Sequence, residues 1–83
     1  MRYARNPAVL WRSTSLGPVV LIPGRELPTR LSGLAAVVWE VLDDPLAAAE
    51  LDGEVAQLLE ESMDLSGCLA ELLGADLVVP STP

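Results

Sequence analysis

Histidine, lysine and phenylalanine are absent from this chain of 83 residues, and cysteine occurs once, as Cys68. Without histidine or lysine the usual general bases are missing, and only carboxylates and Tyr3 remain for proton transfer. The chain therefore does not read as an enzyme. A single cysteine excludes an internal disulfide, so nothing calls for an oxidising compartment. Metal-ligating cysteine or histidine pairs and glycine-rich phosphate loops are also lacking, and neither a cofactor nor a metal is expected. No apolar run approaches the roughly 20 residues that span a bilayer. Pro7, Arg12, Pro18, Pro23 and Arg25 interrupt every stretch that would serve as a signal-peptide core. A cytoplasmic protein without a membrane partner is the expectation.

Positive charge is absent from most of the chain. All five arginines (Arg2, Arg5, Arg12, Arg25, Arg30) precede Leu31, and Glu26 is the single acid among them. The other eleven of the twelve acids follow Leu31, and the net charge is −7. A partner that docks on the C-terminal two thirds should be basic. At 51% hydrophobic residues the chain has material for a core, and its length fits a single domain over 1–83, with an ordered core at about 3–79.

The clearest element is Leu31 to Asp44. Ser32 is a good N-cap, because its hydroxyl can accept from a free N–H of the first turn. Leu34, Val37, Val38, Val41 and Leu42 form one apolar stripe, and Ala35, Ala36 and Trp39 extend it most of the way round. A helix of that kind is buried. Asp43-Asp44-Pro45 stops it. Before it lie three short runs with strand character: 8–12, Val19 to Ile22 closed by Pro23-Gly24, and Arg25 to Leu31. In the third, Leu27, Thr29 and Leu31 share one face, while Pro28 confines the run to a sheet edge or a bulge. After it, Pro45 opens a second helix capped by Asp44, with Leu51, Val55, Leu58 and Leu59 in one phase. Asp52-Gly53 either breaks that helix or lies within it. Asp64 caps a third helix with the stripe Leu65, Cys68, Leu69, Leu72 and Leu73, and Gly74 stands where a left-handed residue is expected. Ala75 to Val79 reads as a short extended tail, and Pro80 to Pro83 as loose. Strands followed by helices argue α+β: a three-stranded antiparallel sheet, then a three-helix bundle, in a winged helix-turn-helix-like order.

Few residues invite chemistry. Cys68 lies on an apolar stripe among acids, which should raise its pKa, so it reads as core. The acid groups Asp43/Asp44 and Glu60/Glu61/Asp64 lack the spacing of a calcium loop and read as solvated helix surface. A DNA-binding winged helix is disfavoured, because a segment with eleven acids and no base repels phosphates. An acyl carrier is disfavoured too: Asp64-Leu65-Ser66 reverses the last two positions of the attachment motif, and the chain ahead of Leu31 is strand-like.

The pattern does resemble one family. Leu31, Ser32, Ala35, Ala36, Val38, Val41, Leu42 and Asp43, followed by Asp64, Cys68, Leu69, Leu72, Leu77 and Val78, are similar to the PqqD-like peptide-recognition domains, in particular the stand-alone type of lasso peptide biosynthesis. The family's usual phenylalanine is Cys68 here, its late glycine is Asp76, and its asparagine–glutamate pair is Ser32-Gly33. The resemblance runs from about Val9 to Val79. It implies a non-catalytic domain that binds the leader of a ribosomal precursor peptide as an added strand beside the third strand and against the third helix. It further implies delivery of that peptide to a leader peptidase and a lasso cyclase. The residues so implicated are Arg25, Glu26, Leu27, Pro28, Thr29 and Arg30 on the edge, and Asp64, Leu65, Cys68, Leu69, Glu71, Leu72 and Asp76 on and around the helix. The acids Asp64, Glu71 and Asp76 would suit a basic leader with apolar anchors. The alternatives are a PqqD-like chaperone for another modified-peptide class and an acidic winged-helix regulator.

Overall fold

The computed structural model describes residues 2–22 and 24–81. Pro23, expected to close the second strand, and the tail residues Thr82 and Pro83 lie outside them. The chain is α+β, with two three-stranded antiparallel sheets and three helices. In order, the elements are β1 (Arg2–Arg5), β2 (Leu10–Thr14), β3 (Gly17–Leu21), β4 (Thr29–Arg30), α1 (Gly33–Val41), β5 (Leu46–Ala47), α2 (Ala48–Leu59), α3 (Ser66–Gly74) and β6 (Val78–Ser81).

The expected meander forms one sheet, ordered β2-β3-β4. Its first turn is built by Thr14 and Gly17. The Thr14 hydroxyl donates to Gly17 O at 2.6 Å and accepts from the Leu16 N–H at 3.2 Å. Gly17 has φ +114°, a left-handed value that favours glycine, and a Cβ there would sit 3.1 Å from the Leu31 carbonyl oxygen. The third run is much shorter than its alternation suggests. Only Thr29 and Arg30 pair with β3, opposite Val20 and Val19, and 24–28 form an exposed loop.

The second sheet, β5-β1-β6, corrects the expectation of a single sheet. Arg2–Arg5 lies between Leu46–Ala47 and Val78–Ser81, so both ends of the chain meet here. Pro80, expected in a loose tail, pairs with Tyr3. Leu46 and Ala47 join this sheet in place of starting a helix at Pro45, and α2 begins at Ala48. The Glu50 carboxylate accepts from the Ala47 N–H at 3.0 Å, satisfying one donor at the helix entrance. α2 then runs unbroken through Asp52-Gly53, held by buried Leu51 and Val55. Leu58 and Leu59, expected on the same buried stripe, are 64% and 38% exposed.

α1 is central, touching β3, α2 and α3. It is shorter than expected and less enclosed: within it Val38 and Trp39 are buried, and Leu34, Val37 and Val41 are only half-buried. The chain enters through Gly33 at φ +59°, and the Ser32 hydroxyl makes no capping bond. The far end is closed by a residue from the other sheet. Arg5 Nε donates to the Trp39 carbonyl at 2.8 Å and Nη2 to the Glu40 carbonyl at 3.3 Å. Its Nη1 lies 3.7 Å from Asp43 Oδ1. A cation on the free carbonyls of a last turn is favourable on both hydrogen-bonding and dipole grounds. The same guanidinium sits 4.4 Å from the Trp11 ring centre and 5.3 Å from that of Trp39, and the two indoles meet edge-on at 5.8 Å. Arg5 and these two tryptophans thus tie the sheets to the helix.

The end of α3 differs from the sequence reading by two positions. Gly74 is still helical, and the left-handed residue is Asp76 at φ +60°. The Leu77 N–H donates to Leu72 O at 3.0 Å and the Asp76 N–H to Leu73 O at 3.1 Å. This is a Schellman closure with Leu77 packed beside Leu72 in the core. Asn6 Nδ2 adds a bond to the Asp76 carbonyl at 2.8 Å. A non-glycine left-handed residue costs about 1 kcal/mol or more. Asp76→Gly is therefore expected to raise the melting temperature by roughly 4–8 °C in a calorimetric scan, because the backbone bonds are untouched.

Candidate peptide-binding site

The edge implicated in peptide binding exists at β4, one of the two edge strands of its sheet. Ladder geometry fixes which backbone groups it offers. The Leu31 N–H donates to the Pro18 carbonyl at 2.9 Å, and Val20 stands opposite Thr29. Alternation then turns the Thr29 amide and carbonyl toward β3 and those of Arg30 outward. Pro28, the loop residue just before the strand, has no N–H to offer. An added strand meets one donor on β4, from Arg30. Among the described residues, no backbone bond of the protein occupies this outer edge.

Side chains along the edge are free. Arg25, Glu26, Leu27, Pro28, Thr29 and Arg30 are all exposed, Leu27 by 78%. The first five line a concavity of about 540 Å³. The implicated helix residues divide differently. Leu65, Leu69 and Leu72 are 2%, 9% and 4% exposed and belong to the core cluster. Core packing is therefore the first role of all three; Leu65 and Leu69 also present an edge to the depression beside α3, whereas Leu72 lines no concavity among the described residues. Cys68 is half-buried against the same cluster. Burial, with a smaller contribution from the Glu71 carboxylate, pushes its thiol up from the ordinary value, the opposite of an activated nucleophile.

The polar members remain at the surface. Asp64, Glu71 and Asp76 are exposed. Asp64 Oδ1 accepts from the Ser66 amide at 3.0 Å and the Ser66 hydroxyl at 2.7 Å. The N-cap position is Leu65, one residue later than expected, and it makes no side-chain cap bond; Asp64 instead holds the Ser66 amide from the position ahead of the N-cap. These bonds, the backbone one first, hold its carboxyl below the ordinary value. A lowered folded pKa stabilises above the unfolded value of 3.8 and is lost as pH falls through the folded one. Anchoring of α3 by Asp64 is thus complete at neutral pH.

The structure places the edge loop and α3 in separate depressions. The second, of about 330 Å³, is lined by Leu65, Ser66, Leu69, Ala70 and Leu73 of the third-helix segment together with Tyr3, Ala48, Asp52, Met63 and Asp64. Met63 was not singled out by sequence reasoning, and Tyr3 only as a residue left for proton transfer, not for a binding surface. Tyr3 comes from β1, which lacks the apolar run that marks the other strands. Met63, 41% exposed, lies in a polar connection without periodicity.

No protein family, curated protein or solved structure matches this chain. Among the described residues, no helix is long and apolar enough to cross a membrane.

Proposed function

We propose that the chain is a leader-binding domain that holds a precursor peptide by strand addition at β4 and presents it to a leader peptidase and a lasso cyclase in the cytoplasm. In this reading the three helices take a winged-helix-like arrangement behind the meander, and the domain itself performs no chemistry. The observation that carries it is the unoccupied outer edge of β4, with the exposed Leu27 beside it and an outward amide on Arg30. Open edges are usually blunted or covered, and a peptide strand would cover this one. Pro28, with no donor to offer, fixes which register the peptide can adopt. The exposed acids Asp64, Glu71 and Asp76 favour a basic leader, chiefly by speeding encounter and selecting partners. Holding the leader raises the effective concentration of the attached core peptide at the catalytic partners.

Titration of labelled leader peptides followed by fluorescence anisotropy, with a DNA duplex in parallel, tests this. Leader binding that weakens with added salt is expected. Leu27→Asp is expected to lower leader affinity at least about tenfold, since it places a charge in the peptide's path. The substituted side chain is exposed, so circular dichroism should stay native-like. DNA binding without leader binding would overturn the proposal in favour of an acidic winged-helix regulator.

A further inference from the structure

The outward face of the meander sheet carries Leu10, Arg12, Val19 and Leu21, which leader binding at the β4 edge does not use; it shares only Pro28 and the Arg30 side chain with that edge. Residues directly opposite across an antiparallel pair share a face. The register sets Leu10 opposite Leu21, and Arg12 opposite Val19, which in turn faces Arg30. The neighbouring row, Trp11 with Val20, points the other way, where Val20 is fully buried. The outward side therefore carries an apolar row, Leu10 and Leu21 with Pro28 beside them, next to a row that ends in an arginine at each edge. Leu10, Arg12, Val19, Leu21 and Pro28 line one shallow concavity of about 340 Å³, to which Thr14 and the half-exposed Trp11 also contribute.

An outward face of an antiparallel sheet is normally polar. Here Leu10 is 68% exposed and Leu21 36%. Arg12 and Arg30 lie on strands roughly 10 Å apart, and among the described residues neither is in a salt bridge. That is notable in a chain with twelve acids and five arginines. Of the cations, only Arg5 is paired among the described residues. Glu26, the single acid ahead of Leu31, lines a different depression. Local charge here is opposite in sign to the rest of the molecule.

We propose that this face is a second docking surface, and that its occupant is an acidic segment of another protein with bulky apolar anchors. The apolar side chains would cover Leu10 and Leu21, and carboxylates would pair with Arg12 and Arg30 in the two-pronged manner guanidinium favours. Nucleic acid fits less well: two arginines supply little phosphate neutralisation against a net charge of −7. A second copy fits less well too, because each copy repels the other overall and a contact between unlike surfaces is open-ended.

The proposal does not depend on leader binding, and its test is separate. The probe is a short labelled peptide alternating leucine with glutamate, compared with a leucine–lysine version and with a labelled single-stranded oligonucleotide. Wild-type chain should bind the glutamate peptide and not the lysine one. The double variant Arg12→Glu, Arg30→Glu should lose at least about tenfold in affinity for the glutamate peptide and gain affinity for the lysine peptide. Leu10→Ser should weaken binding of the glutamate peptide without altering the circular dichroism spectrum. Equal binding of both peptides, no effect of the double variant, or preferential binding of the oligonucleotide would each overturn the assignment. Concentration-dependent self-association in analytical ultracentrifugation that the double variant abolishes would reassign the face to a second copy.

Discussion

An Arg30→Pro chain is expected to fold and to lose leader binding. The Arg30 amide faces away from β3, because Leu31 and Thr29 on either side make the bonds of the ladder. Replacing it removes the one outward donor of β4 and leaves the bonds to β3 in place. Thr29 already has the extended backbone that a following proline requires. The peptide's facing acceptor would then be left unmatched, a cost of about 1–3 kcal/mol, or roughly five- to 150-fold in affinity. Arg30→Ala keeps the amide and should retain the leader, while it should weaken binding of the acidic probe at the sheet face. Anisotropy with the leader separates the two variants, and a melting scan confirms that both fold. Unchanged leader affinity in Arg30→Pro would mean that the peptide does not add to this edge.

Trp39→Ala is expected to leave the chain close to or past the point of unfolding. Trp39 is the largest fully buried side chain, on the helix that touches the meander and both other helices. Truncating a buried tryptophan costs about 3–5 kcal/mol, against a total of about 4–12 kcal/mol for a chain of this length. The loss spreads, because Trp11 and the Arg5 guanidinium both pack on the indole. With the ring gone, Arg5 loses part of what orients it toward the carbonyls ending α1. Trp39→Phe should be far milder. It keeps an aromatic ring in place, and the buried indole N–H that it removes has no partner among the described residues. Urea unfolding followed by circular dichroism checks both. A Trp39→Ala chain with a native-like midpoint would mean that the cluster contributes little.

The α+β class, the meander and the three helices were legible in the sequence, because turn residues and apolar periodicity act locally. The start of α3 next to Asp64 was readable for the same reason, to within one residue: the N-cap is Leu65, and Asp64 bonds the Ser66 amide two positions on. The missing donor of Pro28 pointed to an edge strand or a bulge; the structure instead leaves Pro28 in the loop just ahead of the edge strand β4. Sequence also determined the separation of charge along the chain.

Tertiary structure decided the rest. β1 is a short strand with little apolar pattern, and it exists because the two segments that flank it, Leu46–Ala47 and Val78–Ser81, arrive from the middle and the far end of the chain. That pairing draws Leu46 and Ala47 out of the helix that Pro45 was expected to open. It also places Arg5 on the end of α1, on carbonyls far from it in sequence. Whether a leucine on an amphipathic stripe is core or binding surface is likewise invisible to periodicity. Burial assigned Leu65, Leu69 and Leu72 to the core and left Leu27, Leu58 and Leu10 outside. The sign of charge on each surface could be read along the chain. That Arg12 and Arg30 flank one apolar row could not, because strand register, not sequence distance, brings them to the same face.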